Sequence, residues 1–377
     1  MQIGIDASRA TVARRTGTES YARRLIQALL AEGAAPAATG AAPGHAFTLY
    51  FRDPPPAGLF PSAPGQSVTN RVIPFPRLWT HVRLSAELLS PARPDVLFVP
   101  AHVLPLLHPL PTVVTVHDLG YRYFPEAHPL RQRLYLEWST RFSARSATRI
   151  IADSEATKRD VIRFCGVGAD KITVIYPGYD ETLQRVDAAA MRAQYHLPEN
   201  YLLHVGTLQP RKNLGRLIEA VASLPDPWLL VLAGRPGWLS APILALARAH
   251  ADRVRLLEYV PDEALAGLYS GAGAVVFPSL FEGFGFPVLE AMACGTPVIC
   301  SQTSSLPEVA GDAALLVDPL DTAALAAAIS QLHALPALRA ALAEKGLAQA
   351  RKFSWTRAAR AALAVLEQAA REPVTVY

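Results

Sequence analysis

Two glutamates bracket the run Phe281-Glu282-Gly283-Phe284-Gly285-Phe286-Pro287-Val288-Leu289-Glu290. Pro287 has a fixed φ and no backbone donor, so it reads as the first residue of a helix. Glu282 then lies in the preceding loop and Glu290 about one turn inside the helix. No Ser, Thr, Asp or Asn stands at the expected cap, which leaves the first amides without an obvious side-chain partner. An uncapped helix start behind glycines suits an anion. Carboxylates beside it would repel a phosphate unless they hold something neutral and hydroxylated. A sugar nucleotide offers both parts, a diphosphate for the amides and hydroxyls for the carboxylates.

Three further groups carry chemistry. In His204-Val205-Gly206-Thr207-Leu208-Gln209-Pro210-Arg211-Lys212-Asn213-Leu214, a strand ends at Gly206 and a helix begins at Asn213, a favourable N-cap. Two cations beside a helix start cost the helix about 0.3–1 kcal/mol each. A bound diphosphate reverses that sign, with Arg offering a planar fork and Lys a compact charge. Taken alone, the same pair also describes an ordinary basic surface loop. In Val116-His117-Asp118-Leu119, a polar pair ends an apolar strand, the position from which side chains of open α/β sheets reach ligands. His117 can hydrogen-bond a sugar hydroxyl, although a lone histidine is more often structural. Asp118 either orients it or ends the strand. In Arg14-Arg15-Thr16-Gly17-Thr18-Glu19-Ser20, Gly17 lets the backbone approach a ligand, but the spacing is not the three-glycine dinucleotide pattern.

These groups need a scaffold, and short apolar runs alternating with amphipathic segments supply an α/β one. In the first half, strands are expected at Gln2–Asp6, Phe47–Phe51, Asp95–Pro100, Thr112–His117, Arg149–Asp153 and Ile172–Tyr176. Helices are expected at Thr18–Ala31, Trp79–Leu89, Leu130–Ala144 and Ser154–Cys165, the last capped by Ser154. Gly33–His45 and Pro54–Pro64 read as loose loops. The polar stretch Tyr179–Asn200 reads as a linker. A second alternation follows, with strands at Tyr201–Val205, Trp228–Ala233, Val254–Tyr259, Ala274–Pro278, Pro297–Cys300 and Ala314–Val317. Its helices lie near Asn213–Ser223, Pro242–Ala251, Asp262–Ser270, Pro287–Ala293, Thr322–Leu335 and Leu338–Lys352. A tail helix starts after Ser354. Strands apolar throughout are those of a parallel sheet covered on both faces. Two doubly wound units of similar size are expected, without an internal sequence repeat.

The chain has 377 residues, 51% hydrophobic and 18% charged, which fits two globular domains and not a disordered chain. No apolar run reaches the length of a spanning helix, and the first residues read as a strand and not as a signal peptide. Cys165, Cys294 and Cys300 have no metal spacing and read as reduced thiols of a cytoplasmic protein. Residues 1–180 carry 20 Lys+Arg and 14 Asp+Glu, the remainder 16 and 18. The basic first half can meet an anionic membrane surface or a lipid-diphosphate acceptor, or simply be solvated. No Asp-x-Asp, His/Cys cluster or Walker loop suggests a metal, and no Gly-x-Ser-x-Gly elbow suggests a hydrolase of that type.

Together these residues resemble the retaining glycosyltransferases of family 4, also called group 1. Gly206–Leu214, Phe277–Glu290 and Gly295–Val309 carry the resemblance. Thr16–Tyr21 with the first strand, Val116–Asp118 and Ile151-Ala152-Asp153-Ser154-Glu155 match more weakly. The resemblance implies a GT-B fold: an acceptor-binding Rossmann-like domain over residues 1–180, facing across a cleft a nucleotide-sugar domain over 181–353, with a helix in 354–377 crossing back. It implies that Arg211 and Lys212 hold the donor diphosphate, and that Glu282 with the backbone of Gly283, Phe284 and Gly285 holds the transferred sugar. Glu290 would hold the ribose, Tyr259 and Val260 seat the base, and His117 contact the sugar near its reacting carbon. Gly17 would close over the phosphates, although relatives often have two adjacent glycines there; Gly206 and Thr207 complete the donor site. The expected activity is metal-independent, cofactor-free transfer of a hexose, mannose from GDP-mannose ahead of UDP-linked donors. The acceptor would be a glycan or a lipid-linked glycan at the cytoplasmic membrane face, and no nucleic acid is expected. A sugar-nucleotide epimerase and an inactive nucleotide-sugar-binding protein share the fold and stay open as alternatives.

Overall fold

The computed structural model describes residues 1–12, 17–33, 44–62, 66–225 and 228–373. Arg14–Thr16 and most of the Gly33–His45 loop therefore lie outside the described residues, as do the last residues of the Pro54–Pro64 loop. Two compact units emerge: Met1–Tyr121, His128–Gly178 and Ser354–Tyr377 make the first, Arg122–Ala127 and Tyr179–Phe353 the second.

The first unit holds a parallel sheet of β1 (Gln2–Asp6), β2 (Ala46–Phe51), β3 (Val68–Val72), β4 (Val96–Val99), β5 (Thr112–Val116), β6 (Arg149–Ala152) and β7 (Ile172–Val174), in the order β3-β2-β1-β4-β5-β6-β7. The second holds β8 (Tyr201–Val205), β9 (Leu229–Ala233), β10 (Val254–Leu257), β11 (Ala274–Phe277), β12 (Val298–Ser301) and β13 (Ala314–Val317), in the order β10-β9-β8-β11-β12-β13. Both orders run outward one way from the first strand and then reverse. That reversal is the topological switch point where ligands of such sheets bind. The repeat is thus one of topology, invisible as sequence identity.

Period-two side-chain alternation explains the unbroken apolar strands. In β4, Phe98 packs into one core and Leu97 and Val99 into the other. In β11, Val275 and Phe277 face one core while Ala274 and Val276 face the opposite one. Ser154 caps its helix as expected, accepting from Thr157 N at 3.0 Å, a contact type worth about 1 kcal/mol. Ser354 does the same for the tail helix Trp355–Ala370, whose Ala359, Ala362 and Leu366 join the core of the first unit beside Leu25 and Leu29.

Several elements differ from the expectations. The edge strand β3 was not anticipated, because Val-Thr-Asn-Arg-Val is largely exposed and shows no apolar run. Trp79–Leu89 is a π-helical segment over Trp79–Leu84 followed by a short α-helix, Ser85–Leu88. The stretch read as a linker belongs to the second unit: helix Ala189–Tyr195 lies in it, and Leu183, Met191 and Leu197 are buried in that core. Its few apolar residues are spaced singly, which hid their burial. Among the described residues, no single helix is long and apolar enough to cross a membrane.

Candidate active site

At the switch point of the second unit, the chain leaving β8 meets the chain leaving β11. A 3-10 turn, Pro210–Lys212, sets two cations side by side. Arg211 Nη1 donates to Glu282 Oε2 at 2.8 Å and to the Phe281 carbonyl at 2.6 Å. Lys212 Nζ donates to Glu282 Oε1 at 2.6 Å and lies 4.6 Å from the centre of the Phe277 ring. Each oxygen of Glu282 thus receives one cation. Burial would push its pKa up, but Lys212 and then Arg211 overcome this and bring it to about 2. Glu282 is therefore a fixed acceptor through the neutral range, with lone pairs left over for hydroxyls.

The loop after Glu282 is clamped by residues that sequence reasoning passed over. Ser304 Oγ accepts from Glu282 N at 3.1 Å and donates to Glu282 O. It does so from a left-handed backbone, φ 60°, an uncommon place for a non-glycine residue. Ser305 Oγ lies 3.0 Å from Glu282 O and 2.6 Å from Phe284 O. The only hint in the sequence was their place within Gly295–Val309. The Phe284 ring is buried against Phe286 and Phe353, which anchors the loop by its side chain. Gly285 heads the helix Phe286–Ala293 at φ 117°, where a Cβ would lie 2.6 Å from Leu306 Cδ2. The helix starts at Phe286, one residue before Pro287, and has no side-chain cap. Glu290 points back from it and accepts from Tyr269 Oη at 2.8 Å. Burial, opposed by that bond and reinforced by Asp180 and Asp262, raises its pKa to about 7.

Asn213 does not cap its helix as expected. It adopts a left-handed conformation, φ 59°, and its side-chain amide donates to the carbonyls of Pro278 and Pro319. It staples the strand ends together instead. His204, at the floor, stacks on Phe277 and holds Nδ1 3.1 Å from Val276 O, leaving Nε2 without a partner. Burial, with Lys212, lowers its pKa to about 4, so it is neutral. Above it, the backbones after β8 and β9 touch: a Cβ on Gly234 would lie 2.0 Å from Gly206 O. Thr207 is exposed beyond Gly206. Tyr259 is exposed after β10 with the Arg235 guanidinium 4.6 Å over its ring, and Val260 is buried behind it. Arg235 was another residue that motif reading missed.

His117 belongs to the first unit, at the end of β5. Asp153, not Asp118, orients it: Nδ1 lies 2.6 Å from Asp153 Oδ2 and Nε2 lies 3.2 Å from Pro100 O. Asp118 accepts from Gly120 N and ends the strand. Both ring nitrogens of His117 face acceptors, which suits an imidazolium. Burial opposes that charge, but the Asp153 carboxylate outweighs it and raises the His117 pKa. The edge of the Tyr21 phenol packs on the ring at 4.6 Å. Asp153 Oδ1 is buried without a partner. Gly17 opens the helix Gly17–Gly33 with nothing within 4 Å of where a Cβ would be. Among the described residues, no group of three His, Cys, Asp or Glu could hold a metal ion. Cys165, Cys294 and Cys300 are buried and form no disulfide.

Two family patterns cover most of the chain: "Glycosyl transferases group 1" matches residues 188–349, and "Glycosyltransferase Family 4" matches 15–183. The chain belongs to this glycosyltransferase family. It is 39% identical over 253 residues to O-antigen chain mannosyltransferase B of Escherichia coli, covering 64% of this chain and 66% of that one. It is 32% identical over 274 residues to the serotype-specific mannosyltransferase WbdA of Escherichia coli, covering 68% of this chain but 33% of the longer relative. In fold it is similar to sucrose-phosphate synthase of Thermosynechococcus elongatus, with a TM-score of 0.74 at 24% identity, over 97% of this chain and 98% of that one.

Proposed function

We propose that this chain is a retaining, metal-independent glycosyltransferase that moves mannose from GDP-mannose to a glycan or lipid-linked acceptor in the cytoplasm. The observation that carries the reading is the Arg211–Lys212–Glu282 group at the switch point, with Lys212 and Glu282 buried and Arg211 partly so. Two cations on one carboxylate leave a local excess of positive charge, which suits a diphosphate. As the sugar–phosphate bond breaks, negative charge grows on the leaving oxygens. Fixed cations stabilise that charge without reorganising, commonly the largest catalytic term. They supply the charge that a divalent ion would otherwise bring.

Glu282, ionised throughout, holds sugar hydroxyls as an acceptor and is not a proton donor. Glu290 takes the ribose hydroxyls, and Tyr259 and Val260 seat the base. His117 contacts the sugar once Nε2 leaves the Pro100 carbonyl. In this reading no carboxylate serves as nucleophile: the acceptor hydroxyl attacks from the leaving-group side, and the departing phosphate takes its proton. Mannose as the transferred sugar is supported by the names of the two relatives, both mannosyltransferases.

The test is direct. Thermal unfolding is followed with GDP-mannose, UDP-glucose and free nucleotides, where ligand at 100 times Kd stabilises by about 2.7 kcal/mol. Transfer from the stabilising donor to a lipid-linked sugar is then assayed with and without chelator, and the anomeric configuration is read by NMR. Near-normal transfer by folded Lys212→Ala and Glu282→Gln sinks the site assignment. Stabilisation by UDP-glucose alone sinks the donor, and epimerisation without an acceptor sinks the reaction. An inverted product overturns retention, and chelator-sensitive transfer restored by a divalent ion overturns metal independence.

A further inference from the structure

The helix Leu130–Ser146 in the first unit turns a mostly small and polar face inward, with Leu136 and Phe142 only partly buried against the core. It buries Ser139, Thr140, Ser143 and Ala144, and Ser143 Oγ accepts from Leu104 N at 2.9 Å. Its apolar stripe faces outward instead: Leu130, Leu134 and Trp138, spaced by four, are 60%, 59% and 48% exposed. A helix on the surface of a soluble domain ordinarily does the reverse. Neighbouring elements extend the same face. His81 is bonded to the Tyr135 hydroxyl at 2.8 Å, and Ser85 Oγ accepts from Leu107 N at 3.0 Å. Val82 and Leu107 are exposed beside them. Ahead of the π-helical segment stands Leu78, 63% exposed and left-handed at φ 54°. Strained backbone that presents a leucine to solvent adds nothing to the packing of the fold.

Arginines surround this face. Arg77, Arg131, Arg141 and Arg145 are exposed, and Arg83 and Arg133 partly so. The acids of these helices are already matched, Glu87 by Arg83 at 2.8 Å and Glu137 by Arg141 at 3.2 Å. We propose that this face docks on an anionic phospholipid bilayer, with Leu78, Leu134 and Trp138 entering the boundary between headgroups and acyl chains and the arginines meeting lipid phosphates. Outward aliphatic and aromatic residues ringed by arginine fit that interface. A second copy of the chain fits worse, because a two-fold contact sets this patch against itself, arginine against arginine. Bulk charge had pointed only to the first half of the chain; the face and its apolar wedge come from the geometry.

Binding is measured without any sugar nucleotide, so the result stands apart from the transferase reading. The full chain is sedimented with phosphatidylcholine vesicles, with and without phosphatidylglycerol, at low and high salt. Binding is expected only with the anionic lipid and weakens with salt. Replacing Arg131 and Arg133 by Gln lowers the partition coefficient by about fivefold each. Leu134→Glu removes binding while the unfolding midpoint stays. Leu78→Gly is the sharper variant, because it relieves the left-handed strain: its midpoint holds or rises while partitioning falls. In the unaltered chain, brominated acyl chains quench fluorescence, and Trp138→Phe reduces the quenching. Equal partitioning to neutral and anionic vesicles overturns the proposal, as does Leu134→Glu binding like wild type. A dimer that Leu134→Glu dissolves, in a chain that ignores vesicles, overturns it in favour of self-association.

Discussion

After β8 and β11 of the second unit, three ionised groups satisfy one another: Arg211 and Lys212 on the two oxygens of Glu282. After β5 and β6 of the first unit, two buried groups face each other, His117 and Asp153. The same strand-end chemistry is built there with one titratable cation, whose charge depends on a proton. Arg and Lys keep their charge through the working range, whereas a histidine must be held charged by its neighbour. The two units therefore differ in what pH can do to them. The second carries a permanent electrostatic site and the first a conditional one.

The largest expected effect lies in the permanent site. Lys212→Ala is expected to lower kcat/KM by about 10²–10³, read by steady-state transfer with saturating acceptor. Glu282→Gln leaves buried Lys212 and partly buried Arg211 without their counter-charge and is expected to cost about 3 kcal/mol of stability as well, read by denaturant unfolding. If His117→Gln costs more than Lys212→Ala, the ranking of the two sites is reversed.

The conditional site gives the next effect. Asp153→Asn removes the charge that holds His117 protonated, so burial takes over and the His117 pKa falls. Transfer is expected to drop at alkaline pH and to recover on acidification, because a smaller fraction of His117 then carries the proton. A profile parallel to wild type at every pH would assign Asp153 a packing role only.

Within the second unit one group breaks the pattern of permanent charge. The Glu282 pKa falls from 4.5 to about 2, and the Glu290 pKa rises from 4.5 to about 7. Glu282, depressed, contributes stability above pH 4.5 that is lost as pH falls through about 2. Glu290, raised, contributes stability below pH 4.5 that is lost as pH rises through about 7. If ionised Glu290 grips the ribose, donor KM rises as pH falls below about 7, approaching tenfold per unit. Glu290→Gln is expected to flatten that dependence. A donor KM flat from pH 8 to 6 in the wild type would remove Glu290 from the ribose.

What the sequence disclosed follows the same division. Glu282, Arg211 and Lys212 were legible because glycines, a proline and charge crowd two strand–helix junctions, and such junctions have few foldable alternatives. The cores were legible because parallel strands are apolar throughout. Asp153 was hidden, since a carboxylate at a strand end looks the same whether it is solvated or pairs with a histidine 36 positions away. The staple made by Asn213 was hidden because its propensity as a cap is strong and its real partners, Pro278 and Pro319, are remote. The helix Leu130–Ser146 was read correctly as a helix and gave no sign of which face it buries. Periodicity locates a stripe, and only packing tells which stripe turns inward.

The smallest expected effect separates strain from hydrogen bonding at Ser304. Its hydroxyl ties both backbone groups of Glu282, and its φ of 60° is one a glycine adopts freely. Ser304→Gly keeps the backbone and loses only the hydroxyl, whose net worth is about 0.5–1.5 kcal/mol. Donor KM should rise about threefold to tenfold with little change in kcat, because the loop that presents Glu282 loosens while the cations stay. Ser304→Ala loses the same bond and keeps the strain, which costs roughly 1–2 kcal/mol. It should match the glycine variant in KM but melt lower. If alanine and glycine melt alike, the left-handed turn is not strained. If both leave KM unchanged, Arg211 and Lys212 hold Glu282 by themselves, and the permanence of the second site rests on charge alone.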